Sequence, residues 1–513
     1  MTLLLLLALQ GCASLPPPNK TESFAIPVET GTALGRLALR STGDAAESAF
    51  RALPVSTFSM DARLALVATS ERSIDVQYYL LQDDATGRTL MRALRDAADR
   101  GVRVRILVDD LYTTSSAGLL RGLAAHENVE VRLFNPFPMG RAFGMTRWAF
   151  SLFDFARVNH RMHNKLLVVD GAFAIAGGRN IADEYFFHSD TANFIDFDIL
   201  VAGFAVSKLA AVFDAYWNST RVYPIEYFDG RPVEPALLRA DIDQLLGSTP
   251  EPFPALQATD RDMLGYPPLS SELEQEVLHL LHGKVRVIAD DPDKVSGRSE
   301  SGGDQTTVTY QAIEAFSGAT SELLLISPYF VPGQLGLRAL GSVRRRDVAT
   351  TVVTNSLAAN DEPFASAAYG RYRKTMLKMG VELYEISARP LELARHYGGK
   401  IASIGRSHAK LAVIDRRTTF IGSMNMDFRS SRTNTELGLF IDSAELSRQV
   451  CDLLDGLTAA DAYRVKLNES GDTLTWTFNE LGSPLVLDHE PDVSLGTKLK
   501  LLLFGPLVPE SLL

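Results

Sequence analysis

Two stretches of the chain, 245 positions apart, carry the same polar residues in the same order. The first reads HNKLLVVDGAFAIAGGRN and the second HAKLAVIDRRTTFIGSMN. His163 pairs with His408, Lys165 with Lys410, Asp170 with Asp415, Gly177 with Gly422 and Asn180 with Asn425, and no gap interrupts the register. Each stretch follows a similar phrase, VEVRLFN or VELYEIS, and a variable insert. Such a repeat restricts the chain to two homologous units that build the same local structure twice. The apolar runs LLVV and LAVI require buried strands. A side-chain period of two then puts His163 and Lys165 on one face, and His408 and Lys410 on the equivalent face.

The surrounding pattern agrees with two such units. Residues 63–72 predict a helix, 73–81 a strand, 86–102 an amphipathic helix ended by Gly101, 102–110 a strand and 129–135 another. From about residue 305 the order recurs: helix over 307–319, strand 322–330, helix 334–346, strand 348–355, helix 366–380, strand 381–387. This argues an α/β protein of two similar α/β/α lobes, packed face to face around one shared site. The first lobe is expected over 56–250 and the second, with an apolar C-terminal tail, over 305–513. A Pro- and Ser-rich connection is expected over 251–304, and a tether and lead-in segment over 13–55.

Composition narrows the chemistry. Lys and Arg number 51 against 62 Asp and Glu, a formal charge of −11. That balance opposes a dedicated nucleic-acid binder, whose affinity comes from neutralising phosphates. The two cysteines, Cys12 and Cys451, build neither a metal cluster nor a disulfide framework. Cys451 lies in an apolar helical run and reads as a buried thiol.

A His, a Lys and an Asn from each copy give six groups around one point if the lobes face each other. Two ammoniums and two amides would surround a phosphate with opposite charge and hydrogen-bond donors. The two imidazoles would divide the work of nucleophile and general acid, with coupled titrations. Further downstream FIDFDILVAG aligns with NTELGLFID and sets Asp196 opposite Glu436, where a carboxylate can orient each imidazole through its other nitrogen. Asp170 and Asp415 follow the strands and either join the catalytic set or hold the turn.

Together, HNKLLVVD-x6-GGRN and HAKLAVID-x6-GSMN, the latter continuing into MDFRSSRTNTE, resemble the paired HKD motifs of the phospholipase D superfamily. DVQYYLLQDD, SPYFVPG, TNSLAANDEP and GVELYE look like its bacterial cardiolipin synthase-like branch, and the resemblance runs from about residue 60 to the C-terminus. It implies a catalytic set of His163, His408, Lys165, Lys410, Asp170, Asp415, Asp196 and Glu436, with Lys165, Lys410, Asn180 and Asn425 binding the substrate phosphate. It also implies a phosphohistidine intermediate, on His163 with His408 as acid or the reverse, and no metal or other cofactor. The expected activity is that of a phosphodiesterase or phosphatidyltransferase on glycerophospholipids, with water or a lipid hydroxyl as acceptor. A nuclease and an inactive lipid-binding homologue are the alternatives. The expected partners are the phospholipid and a membrane surface, with no nucleic acid and no obligate protein partner. Two positions depart from the family's pattern: Gly178, where Ser is frequent and the second copy has Ser423, and Ser366, where a His is expected.

Other segments bear on the membrane. MTLLLLLALQGCASLPPP begins with an apolar run too short for the roughly 20 residues that span a bilayer, and it suits a secretory leader over 1–12. Leu9-Gln10-Gly11-Cys12 resembles the lipobox of bacterial lipoproteins, which implies cleavage before Cys12, lipidation of Cys12 and a periplasm-facing position in the cell envelope. A plain signal peptide is the competing reading. Residues 134–161 mix aromatics with arginines, as a lip for acyl chains or an ordinary core helix and loop would. The tail LGTKLKLLLFGPLVPESLL suits either membrane docking or packing on the second lobe.

Overall fold

The computed structural model describes residues 15–16, 19–42, 47–138, 146–147, 151, 154–228, 233–250, 252–296, 303–389, 404–480, 483–504 and 508. Cys12 and its leader, and parts of the 134–161 stretch and of the apolar tail, lie outside the described residues.

The first repeat supplies β1 (Ser48–Leu53), β2 (Ser73–Tyr78), β3 (Arg103–Asp109), β4 (Val129–Phe134), β5 (Lys165–Val169), β6 (Phe173–Gly177), β7 (Ala192–Ile195), β8 (Asp198–Gly203) and β9 (Val222–Pro224). The second supplies β10 (Leu281–Ala289), β11 (Glu322–Ile326), β12 (Ala349–Asn355), β13 (Glu382–Ile386), β14 (Ile404–Ser407), β15 (Leu411–Ile414), β16 (Thr418–Gly422), β17 (Leu437–Asp442), β18 (Ala462–Leu467), β19 (Leu474–Glu480) and β20 (Ser483–Leu487). Pairings run β9-β4-β3-β2-β5-β6-β8-β1 in the first half. In the second they run β10-β17-β16-β15-β11-β12-β13-β18-β19-β20. About the β1–β10 joint the first eight strands of the second order match the eight of the first, β19 and β20 extend its far edge, and all 18 form one sheet.

In each half three strands are parallel: β2, β3 and β4, then β11, β12 and β13. Parallel neighbours need crossovers, and the helices Ala85–Asp99 and Gly333–Arg344 make the first of each set. Asp84 caps the former by accepting from Gly87 N at 2.8 Å. Strands β5 and β15 lie in mid-sheet and are buried on both faces, which is why LLVV and LAVI are continuous apolar runs. Leu166, Val168, Leu411 and Val413 belong to one core built from both repeats, whereas Leu167 and Val169 face the outer core of the first lobe.

The segment 251–304, expected as a connection, also contributes β10, which pairs with β17 and joins the two half-sheets through β1. Its partly exposed position keeps His282, Lys284 and Arg286 in the strand, so its composition looks like that of a loop. Near the centre of the first half, Arg63 and Arg179 converge on Asp198 at 2.9 and 3.1 Å, and all three are fully buried. Among the described residues no helix is long and apolar enough to cross a membrane.

Candidate active site

The two motif copies meet across the lobes through backbone pairing. Met162 and Thr435 form a parallel bridge in which His163 N donates to Thr435 O and Thr435 N donates to Arg161 O, both at 2.9 Å. The equivalent contact is the two-stranded β7–β14 sheet, after which His408 N donates to Ile195 O at 2.7 Å. In each case the residue that follows the bridge is a carboxylate of the opposite repeat. Glu436 accepts from His163 Nδ1 at 3.0 and 3.2 Å. Asp196 Oδ2 lies 2.6 Å from His408 Nδ1. The pairs therefore cross between lobes. Each imidazole is oriented by the other half of the chain, leaving its Nε2 free of these contacts.

Lys165 Nζ donates to His163 O at 2.8 Å and Lys410 Nζ to His408 O at 2.5 Å. Asn180 and Asn425 are buried, and the side-chain oxygen of each has no hydrogen-bond partner. Buried amides with unused bonding capacity are uncommon in a folded protein and suit a site that bonds a ligand. Tyr79 stands edge-on to His163, 4.9 Å between centroids, and Tyr185 edge-on to His408 at 5.0 Å. The Lys165 ammonium lies 5.2 Å from the Tyr79 ring centroid. Among the described residues no cluster of three or more His, Cys, Asp or Glu side chains is arranged to hold a metal ion.

The electrostatics follow from crowding cations in a buried place. Burial, then repulsion from Lys410, holds Lys165 well below the usual ammonium range. Burial lowers Lys410 to about 8, opposed by Asp196 and Glu436. Burial brings His163 down to about 4 against the pull of Glu436. Burial and both lysines hold His408 well below the ordinary imidazole value. An anion placed among these groups relieves all four effects.

The two carboxylates differ. Burial pushes Asp196 up to about 7, with Lys410 and Arg179 opposing. Glu436 is buried as deeply, yet its interaction with His163 and a hydroxyl hydrogen bond outweigh burial and hold it below the ordinary value. Part of the difference can be read in the motif. Ser423 Oγ and Ser430 Oγ both donate to Glu436, at 2.5 and 2.7 Å. At the matching position stands Gly178, where a Cβ would lie 2.0 Å from Asp196 Oδ1. The Gly that departs from the family's pattern thus makes room for the shorter carboxylate and gives it no hydroxyl.

Of the residues expected from sequence, the structure brings together His163, His408, Lys165, Lys410, Asn180, Asn425, Asp196 and Glu436. It does not bring Asp170 and Asp415 to them, and their inclusion in the catalytic set is corrected. Both follow the far ends of their strands in left-handed conformations, φ 52° and 53°. Asp170 accepts from the backbone N–H groups of Glu71, Arg72 and Ser73 at 2.8–3.0 Å. Asp415 accepts from the backbone N–H groups of Thr320, Ser321 and Glu322, and these bonds together outweigh the opposing effect of burial and hold it well below the usual carboxylate range. Both tie a turn to the strand beside it. Sequence reading did not single out Ser430, Tyr79, Tyr185 or the bond from Tyr329 Oη to Asp361 at 2.7 Å. None of these recurs at matching positions of the repeat, the signal that found the others.

Comparison with known proteins gives consistent results. The sequence matches the family described as cardiolipin synthase, PLD-like domain, over residues 64–217 and 312–457. It is 35% identical to cardiolipin synthase C of Escherichia coli (strain K12), over 88% of this chain and 93% of that protein. It is 26% identical to a cardiolipin synthase of Staphylococcus aureus (strain Mu50), over 74% of this chain and 60% of that one. The crystal structure of the Haemophilus influenzae phosphatidylserine synthase superposes over 92% of this chain and 97% of its own, with a TM-score of 0.57 and 13% identity, a likeness of fold.

The turn assignment is testable. Asp170→Ala or Asp415→Ala leaves backbone donors without their acceptor and should lower stability by about 1–3 kcal/mol in urea unfolding, with kcat per folded molecule nearly unchanged. A fall in kcat of about a hundredfold, the scale of a lost acid–base group, at unaltered stability contradicts it.

Proposed function

The chain belongs to the family of cardiolipin synthase, PLD-like domains, and from this membership we propose that it is a phosphatidyltransferase or phosphodiesterase acting on glycerophospholipids through a phosphohistidine. The observation that carries the reading is the crossed pair of His–carboxylate contacts, with two lysines and two asparagines of the same repeat around them.

His163 is the nucleophile in this reading. Its Nδ1–H is held by an ionised Glu436, and its Nε2 lone pair attacks phosphorus. The N–P bond forms as the P–O bond to the leaving alcohol breaks. The departing alkoxide takes the proton of His408 Nε2, and His408 Nδ1 takes one in turn from Asp196, whose raised pKa keeps it protonated near neutrality. In the second half-reaction water or a lipid hydroxyl returns a proton to His408 and attacks phosphorus, breaking the N–P bond. Lys165, Lys410, Asn180 and Asn425 balance the charge on the phosphoryl oxygens. The asymmetry between Ser423 and Gly178 favours this assignment of roles: one pair is kept anionic and the other keeps a proton.

A nuclease could use the same groups. The charge of −11 and the phospholipid synthases among the relatives favour lipid. We further propose that lipidation at Cys12 holds the protein to a membrane of the cell envelope, so that substrate is reached in the bilayer.

Incubation with labelled phosphatidylglycerol should release phosphatidate or cardiolipin, and a labelled oligonucleotide should stay intact; the opposite result supports the nuclease. His163→Asn should abolish turnover and any covalent adduct. His408→Asn should stop turnover on lipid yet still form an adduct from a p-nitrophenyl ester, whose leaving group departs unprotonated. Intact-protein mass spectrometry reads the adduct, since a phosphoramidate is acid-labile and survives base. An adduct on His408 reverses the roles, and no adduct on either His contradicts the covalent route.

The pH profile is a second check. In the free enzyme kcat/KM should fall below about 4, as His163 takes up a proton, and above about 7, as the His408–Asp196 pair loses one. Ser423→Ala removes a donor to Glu436, makes that carboxylate more basic, and should move the acidic limb upward while leaving the alkaline limb in place. Movement of the alkaline limb instead contradicts the assignment.

A further inference from the structure

Beside the phosphate-binding groups of the second lobe is a cavity of about 470 Å³, a size typical of small-ligand pockets. It lies between the helices Val308–Ser317 and Gly333–Arg344 and extends to the segment Met424–Phe428, which carries Asn425. Its interior is apolar: Phe316, Leu325, Phe330, Leu340 and Met424 are buried and line it. Leu335 and Phe428, also lining, are 46% and 38% exposed, so the cavity has an apolar mouth.

The first repeat provides an internal control. Its corresponding helices, Ser56–Thr69 and Ala85–Asp99, have 14 and 15 residues, against 10 and 12 in the second repeat. The helix Leu269–Gln275 packs on the first of them and Pro235–Ser248 on the second. Among the described residues the short helical turns Gly303–Thr306 and Arg429–Thr433 pack on Val308–Ser317, and no longer helix is laid over the second pair. The shorter helices and lighter cover accompany the open space in the second lobe.

We infer that this cavity receives one acyl chain of the glycerophospholipid whose phosphate lies at Asn425. This rests on the lipid reading proposed above. Two features point to that occupant. The walls are mostly hydrocarbon, which gains by burying hydrocarbon. One residue, Asn425, belongs both to the cavity wall and to the candidate phosphate site, so a lipid held by its phosphate has a tail within reach of the opening.

The test uses the full-length protein in detergent micelles with phosphatidylglycerol that bears a diazirine on one acyl chain. After irradiation, peptide mass spectrometry should find adducts on Met424–Phe428 or on the two cavity helices, suppressed by excess natural phosphatidylglycerol. Ala339 lines the cavity, and Ala339→Trp should cut cavity adducts and lower kcat/KM for long-chain lipid by about tenfold, the scale of a lost apolar fit. The wild-type adduct map decides the matter even if that variant does not fold. Turnover of phosphatidylglycerol with adducts confined elsewhere, for instance to Leu495–Phe504, overturns the cavity assignment and leaves the lipid reading intact. Neither turnover nor adducts overturns the lipid reading itself, and this inference with it.

Discussion

The hydrogen bonds that cross between the repeats, His163 to Glu436 and His408 to Asp196, are the constraint around which the rest of the molecule is arranged. Neither repeat contains a complete set of groups. A histidine from one lobe gains an oriented imidazole only when the other lobe supplies its carboxylate, and the backbone bridges just before Glu436 and Asp196 fix that supply geometrically. The continuous sheet through β1 and β10 and the shared apolar core, with Leu166 and Val168 against Leu411 and Val413, hold the lobes in the one relation that allows both contacts. Gene duplication alone would give two half-sites; the packing joins them into one.

Holding eight polar or charged groups out of water is costly, and an anionic ligand relieves the share borne by the cations. Both lysines and both imidazoles are pushed toward their neutral forms by burial. A phosphodiester anion meets a preorganised shell that gains charge as it binds. Symmetry is broken in one small place. The His163 contact and the Ser423 hydroxyl hold Glu436 below the ordinary carboxylate value, while Gly178 admits Asp196 without a hydroxyl and burial raises it to about 7. A duplicated motif thereby acquires two chemically different ends, one suited to attack and the other to proton donation.

Much of this was legible in the sequence because a repeat carries its own alignment. The similar segments after the motifs, FIDFDILVAG and NTELGLFID, set Asp196 opposite Glu436 at an offset of 240 instead of 245, and the strand period put each His and Lys together. That the pairs cross was not legible, since it depends on how the lobes pack and leaves no mark in either motif. Asp170 and Asp415 misled for a related reason. They recur as faithfully as the histidines, but recurrence is equally produced by a turn that must be tied down in both halves, and their left-handed backbone and three backbone donors each show which demand applies. Strand β10 was hidden by the polar residues of a half-exposed position, and Ser430 and Tyr79 by having no counterpart in the other copy.

The crossing of the two pairs is tested most directly by low-field one-dimensional proton spectra, which see a bridging proton whether it rests on Nδ1 or on the carboxylate, with His163→Asn and His408→Asn assigning each signal. A proton held between Nδ1 and a carboxylate is strongly deshielded, and each histidine should give one such signal. Glu436→Gln should remove the His163 signal and spare that of His408, and Asp196→Asn should do the reverse. Loss of the His163 signal on changing Asp196, its own lobe's carboxylate, or survival of both signals in both variants, contradicts the account of a single site made jointly by the two repeats.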